Sequence, residues 1–264
     1  RCWCYLIPSS GEPRALVHTI ERDRLNHLPG DKIEYAGHDR LKNGLRALVN
    51  GCASVAMEFS PECAIPYVSR VDAGTVDAIR TLGVDVRSSG NLVQRFEAVW
   101  NDAALADHKT ASAALYTIKD QAFAMVTERI RGGIAVTEFE VQDAMAAWFT
   151  DAGLTSDSRP VVAAQENAGD PHYLPNRERH RIIGPDEVLL LDLWGKVTTP
   201  GAVYADITWM GYTGGSVPTR YAEAFAVVRE GRDAAVELVE EAVRAGQPLE
   251  GWEVDRVARD NIAD

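Results

Sequence analysis

The chain has 264 residues, 46% of them hydrophobic and 25% charged, and a formal net charge of −12. That length holds two domains with cores of their own or one large one. The acidic balance argues against nucleic acid or an anionic membrane as partner. No apolar run approaches the roughly 20 residues of a membrane span and no signal peptide opens the chain, so the expected setting is cytoplasmic. Cys2, Cys4, Cys52 and Cys63 are too few and too scattered for a disulfide framework. Cys2-x-Cys4 also lacks the two-residue spacer usual in zinc–thiolate sites.

The chain opens on what reads as a strand, residues 1–7. A turn at residues 8–13 leads to a second strand at 15–18, and a third follows at 32–36. Residues 38–50 carry Leu41, Leu45, Leu48 and Val49 on one helical face and stop at Gly51. A strand at 53–59, a helix at 71–82, a strand at 84–87 and a helix striped by Leu92, Val93, Phe96, Val99 and Trp100 complete the first hundred residues. This alternation predicts an α/β domain with a mostly parallel sheet covered on both sides. His18, His27 and His38 show no metal spacing and no phosphate loop occurs, so this part reads as structural or oligomerising.

Residues 101–107 are polar and alanine-rich and mark the expected boundary, giving domains 1–102 and 103–264. A long helix then runs to Arg131 and ends at Gly132-Gly133. Thr137 and Glu140 form a capping box for a helix ending near Gly153. Residues 161–164 read as a short strand and 165–176 as a loop. After a hairpin at 187–214 come a helix at about 220–245, a turn at Gly246-Gln247-Pro248 and a last helix from Trp252 to the end. The opening strand and the uncapped final helix both read as cut. The expectation is a fragment of a longer protein.

The hairpin carries the chemistry. Its arms, residues 187–197 and 202–209, are apolar and rich in β-branched and aromatic residues, with a Pro200-Gly201 break between them. A turn at residues 198–201, centred near Thr199, sets Asp192 directly across from Asp206, about 5 Å apart at Cβ. Two carboxylates so placed in apolar strands repel each other and lose hydration. A divalent cation compensates directly, because hard metals take carboxylate oxygens. In the same register Tyr204 and Thr208 share the face of the two acids. The plainer alternative turns one aspartate to solvent or breaks the register with a bulge.

The loop before the hairpin, Asn167-Ala-Gly-Asp-Pro171-His172-Tyr173-Leu-Pro175-Asn176, holds a histidine between two prolines, which fix the backbone around it. His180, in the arginine-rich run that follows, reads as exposed. Loop, hairpin and helix together resemble the creatinase and aminopeptidase P family, the pita-bread metallohydrolases that include prolidase and Xaa-Pro aminopeptidases. Gly169-Asp-Pro-His172-Tyr-Leu-Pro175 is similar to that family's histidine loop. Leu191-Asp192-Leu-Trp-Gly-Lys and Val203-Tyr204-Ala-Asp206-Ile-Thr208 are similar to its first two metal-ligand aspartates, here a little further apart. Residues 1–102 resemble the smaller α/β domain that precedes the catalytic one.

The resemblance implies a creatinase-like α/β domain followed by part of a pita-bread domain, and a hydrolase that cleaves the bond before proline in a dipeptide or peptide. It implies two divalent ions, with Asp192 on one and Asp206 bridging both. Carboxylate-rich ligation favours manganese, with cobalt or zinc able to serve. His172 would contact the substrate or the tetrahedral intermediate, and Tyr204 and Thr208 would orient the acids. A homodimer is expected of the complete protein. The family's further histidine and two glutamates have no counterpart in these residues, so the 264 residues alone are expected to be inactive. A metal-free hydrolase like creatinase and a non-enzymatic pita-bread binding protein are the alternatives; the retained acid pair argues against both.

Overall fold

The computed structural model describes residues 2–263, and contacts divide the chain into two compact units, Arg1–Trp100 and Asn101–Asp264. The expectations that touch Arg1 and Asp264 fall outside the described residues. In the first unit β1 (Cys4–Leu6), β2 (Arg14–His18) and β3 (Asp31–Tyr35) form one sheet, β2 running antiparallel to β1 and parallel to β3. β4 (Ser54–Met57) and β5 (Asp85–Ser88) pair in parallel as a separate ladder. The helices α1 (His38–Leu48), α2 (Ala73–Thr81) and α3 (Gly90–Glu97) alternate with them as the apolar spacing predicts.

Most pairings are parallel, as expected, but the single sheet becomes two ladders. β1 is antiparallel because only a short turn joins it to β2, too little chain for a crossover. β2 is buried on both faces, as the pattern requires of a central strand. Leu16 packs with Leu45, Leu48, Val76 and Ile79, whereas Ala15 and Val17 pack with Leu25.

In the second unit α4 (Asp102–Arg131) starts at Asn101, whose side-chain oxygen accepts the N–H of Ala104 at 2.8 Å. The expected linker at residues 101–107 is therefore the first turns of a helix. Alanine is the best helix former and asparagine one of the best caps, so a polar, alanine-rich run is as good a helix start as a linker. α5 (Glu138–Asp151) opens on the predicted capping box. The Thr137 N–H donates to the Glu140 carboxylate at 2.8 Å, and the Glu140 N–H to the Thr137 hydroxyl at 3.1 Å.

Four strands follow: β6 (Leu154–Thr155), β7 (Val161–Ala164), β8 (Val188–Val197) and β9 (Ala205–Tyr212). β8 is central. β9 runs antiparallel along one edge, while β7 and β6 share the other, both antiparallel. Leu189, Leu191 and Leu193 of β8 are fully buried in a core with Leu115, Ile118 and Val126 of α4 and Val141, Met145 and Phe149 of α5. The alternate residues Leu190, Asp192, Trp194 and Lys196 are only half-buried. The sheet is thus packed on one face and open on the other. α6 (Thr219–Ala245) and α7 (Gly251–Ala263) pack on each other, and Gly246 closes α6 at φ 63°.

Gly195 of β8 shows how tightly the packed face is filled. A Cβ there would sit 2.6 Å from Cε1 of the buried Phe149 ring. Glycine is normally the weaker strand residue, yet Gly195→Ala should destabilise the protein by about 1–3 kcal/mol through overpacking. Chemical denaturation checks this, and equal or greater stability in the variant would show that the Phe149 ring moves aside freely.

Candidate active site

The hairpin forms as expected, but its register is shifted. Residues 198–204 connect the arms, with Gly201 at φ +81° and the Ala202 N–H donating to Thr199 O at 3.0 Å. Asp192 therefore lies opposite Thr208, and Asp206 opposite Trp194. The two acids are diagonal neighbours rather than a directly opposed pair, roughly 7–8 Å apart on ladder geometry. They still share one face, because a shift of two residues leaves the alternation intact.

Asp192 is half-buried and Asp206 exposed, so the strong desolvation expected of the pair is only partial. It is still enough to act. Lost hydration against the sheet, and then the charge of Asp192, hold the Asp206 carboxyl above the usual aspartate range. Thr208 donates its hydroxyl to Asp192 Oδ1 at 2.7 Å. Asp206 accepts no hydrogen bond among the described residues. Trp194, on the same face, is fixed by its indole N–H, which donates to Asp157 Oδ1 at 2.8 Å. The pair of carboxylates suits a hard divalent cation in kind. Among the described residues no third His, Cys, Asp or Glu joins them in a group able to enclose one.

Tyr204 lies just outside the paired residues of the ladder, beside Lys196 of the open face. It precedes β9, its carbonyl oxygen lies 2.9 Å from His108 Nδ1, and its ring lies 4.8 Å from the Lys196 ammonium. It makes no hydrogen bond to either acid among the described residues. The longer connection takes it out of the ladder. His172 is exposed on its loop, its backbone N–H donating to Asp170 Oδ1 at 3.0 Å. His180 is exposed too, with Nδ1 2.9 Å from Asn176 O. Two clefts of about 340 and 380 Å³ flank α4 and include neither acid nor His172, as fits a site on an open sheet face.

Sequence reasoning missed the carboxylate under the histidine loop. Glu138, first residue of α5, is fully buried. Its Oε1 accepts the Ala164 N–H at 2.7 Å and the Asn167 amide at 3.0 Å; its Oε2 accepts the Tyr173 hydroxyl at 2.5 Å and the Arg181 N–H at 2.8 Å. Burial and the adjoining carboxylate push the Tyr173 hydroxyl up, so it stays a donor. The Arg181 guanidinium turns elsewhere, pairing with Glu166 and, at 2.5 Å, with Glu187. The only hint in the sequence was a second glutamate at a helix start where one suffices for the capping box.

The profile of metallopeptidase family M24 matches residues 112–264, more than half of the chain. The chain belongs to metallopeptidase family M24. The matched span contains His172, Asp192, Tyr204, Asp206 and Thr208. Among solved structures, the dipeptidase PepE from Mycobacterium ulcerans shares 20% identity over 98% of this chain and 64% of its own, with a TM-score of 0.63. A recombinant prolidase from Thermococcus sibiricus shares 17% over 100% of this chain and 66% of its own, at 0.56. An Xaa-Pro dipeptidase from Bacillus anthracis shares 17% over 100% and 67%, at 0.52. No curated protein matches in sequence. At these identities the likeness is one of fold, and it bears out the mixed α/β, partly pita-bread architecture. The chain spans 64% of the length of PepE and 66% of that of the prolidase.

The raised Asp206 carboxyl gives this M24 chain a testable acid-side signature when free of metal. The folded state holds the Asp206 proton more tightly than the unfolded chain does. Its contribution therefore favours folding below the ordinary aspartate pKa and is lost as pH rises through the raised value. Denaturation profiles recorded upward from the ordinary aspartate value of ~3.9 should show this fall, and Asp206→Asn should flatten it. An identical profile in the variant would show that Asp206 titrates normally.

Proposed function

We propose that the protein is a metal-dependent peptidase that cleaves the peptide bond before proline, as an Xaa-Pro dipeptidase or aminopeptidase. The observation that carries this reading is the pair of carboxylates, Asp192 and Asp206, on one open face of a sheet inside the family-matched span. The solved structures it resembles are named dipeptidase, prolidase and Xaa-Pro dipeptidase, which supports the choice of substrate class. Asp192 and Asp206 would hold divalent ions, manganese fitting carboxylate donors best. When bound, such a pair supplies an activated water and polarises the scissile carbonyl. Thr208 holds Asp192 by its hydroxyl, which donates to one carboxylate oxygen. His172 donates to the substrate carbonyl oxygen as charge develops there. Two carboxylates alone hold an ion weakly, so the reading requires further ligands beside Asp192 and Asp206.

Protein expressed from the entire open reading frame and supplied with manganese should hydrolyse Xaa-Pro dipeptides or the N-terminal bond of Xaa-Pro peptides. A chelator should abolish the activity and manganese restore it. Asp192→Asn and Asp206→Asn should each lower kcat/KM on the order of a thousandfold, the scale of several kcal/mol of lost transition-state stabilisation. His172→Ala should cut kcat by about 10²–10³ with little change in KM, as for a lost oxyanion donor. Full activity after exhaustive chelation, or in either asparagine variant, sinks the reading.

A further inference from the structure

Glu138 has more bonds to the loop than its own helix requires. The N-terminus of α5 is already capped by Thr137 and Glu140. All four donors to the Glu138 carboxylate come instead from the segment that carries His172. Ala164 stands at its entry, Asn167 and Tyr173 within it, and Arg181 at its exit. The Glu138 N–H closes the set by donating to Arg181 O at 3.1 Å. Asp170, Pro171 and His172 are exposed, while Tyr173, the next residue, is buried at 3% exposure. The exposed imidazole is thus one residue from a pinned, buried ring.

We infer that Glu138 is a positioning residue that holds the His172 loop in its working geometry. This rests on the proposed peptidase reading, which gives His172 its role. A fully buried carboxylate satisfied by neutral donors alone is a costly way to fill a core, and apolar packing of the same volume is often more stable. What it provides is direction. Hydrogen bonds to a carboxylate are short and oriented, and donors arriving from both ends of a loop fix its path as apolar contact cannot. Glutamine in its place keeps the volume but offers one acceptor oxygen and turns an NH₂ toward groups that are themselves donors.

The test uses protein from the entire open reading frame, loaded with manganese, as wild type, Glu138→Gln and Tyr173→Phe. The second variant removes one donor and leaves the buried carboxylate in place, which covers the case in which Glu138→Gln does not fold. Hydrogen exchange of residues 165–181 should speed up roughly tenfold, the loss of about one charge-assisted hydrogen bond, while α4 stays protected. The ¹⁵N signal of the His172 imidazole should move. On Xaa-Pro substrates kcat should fall about ten- to a hundredfold, as for a catalytic group displaced by around 1 Å, with KM and manganese affinity nearly unchanged. Unchanged loop exchange in both variants overturns the inference, and so does a loosened loop with kcat intact. A wild type without peptidase activity counts against the peptidase reading instead. Exchange and the His172 signal then decide alone, a loosened loop with a shifted signal supporting the anchor and unchanged exchange overturning it.

Discussion

Leu189, Leu191 and Leu193 of β8 are buried completely between α4 and α5, and their burial decides where every other side chain of the hairpin points. Each is worth about 1.5–3 kcal/mol relative to exposure. A slip of one residue would turn all three outward and drive Asp192 into the core, adding the penalty of an unpaired buried carboxylate. The row of leucines therefore does more than stabilise the sheet. It sets the two aspartates on the open face and keeps them there.

That same physics explains how far the site was legible. Alternation of apolar residues along 187–197 and 202–209 located the strands and placed both acids on one face. It could not tell whether Asp192 faces Asp206 or Thr208. Both partners are an even number of residues along β9, so either pairing buries the same leucines. Only the turn separates them, and Thr198-Thr199-Pro200-Gly201 can centre in more than one place. The positive φ of Gly201 moves the centre toward Pro200 and leaves Tyr204 unpaired. Asn101 failed for a related reason, since a good cap before alanines reads equally as linker and helix start. For Glu138 the local pattern offers no more than a spare glutamate beside the capping box. Its partners lie 26 to 43 residues away, and nothing in a helix's first turn marks a carboxylate that serves a distant loop.

The loop and the acids share a support. β7 runs beside β8, pairing Val161 with Asp192 at one end and Ala164 with Leu189 at the other. Ala164 gives its N–H to Glu138, and the next residue, Gln165, opens the loop and accepts the Val188 N–H at 3.2 Å. Gln165 also donates to the Tyr221 hydroxyl of α6 at 3.0 Å. One short strand thus ties the backbone of Asp192 to the root of the segment that bears His172. Groups that must act on one substrate need such a rigid common frame, because small errors of position cost large factors in rate.

Within that frame the two acids are not equivalent. Asp192 has one oxygen committed to Thr208, whereas Asp206 accepts no hydrogen bond among the described residues and carries the raised proton affinity. Lost hydration first, and the Asp192 charge second, set this rise in proton affinity. The open face leaves Asp206 exposed to solvent and Asp192 half-buried. The asymmetry follows the register, which sets Thr208 directly across the ladder from Asp192 and Trp194 across from Asp206.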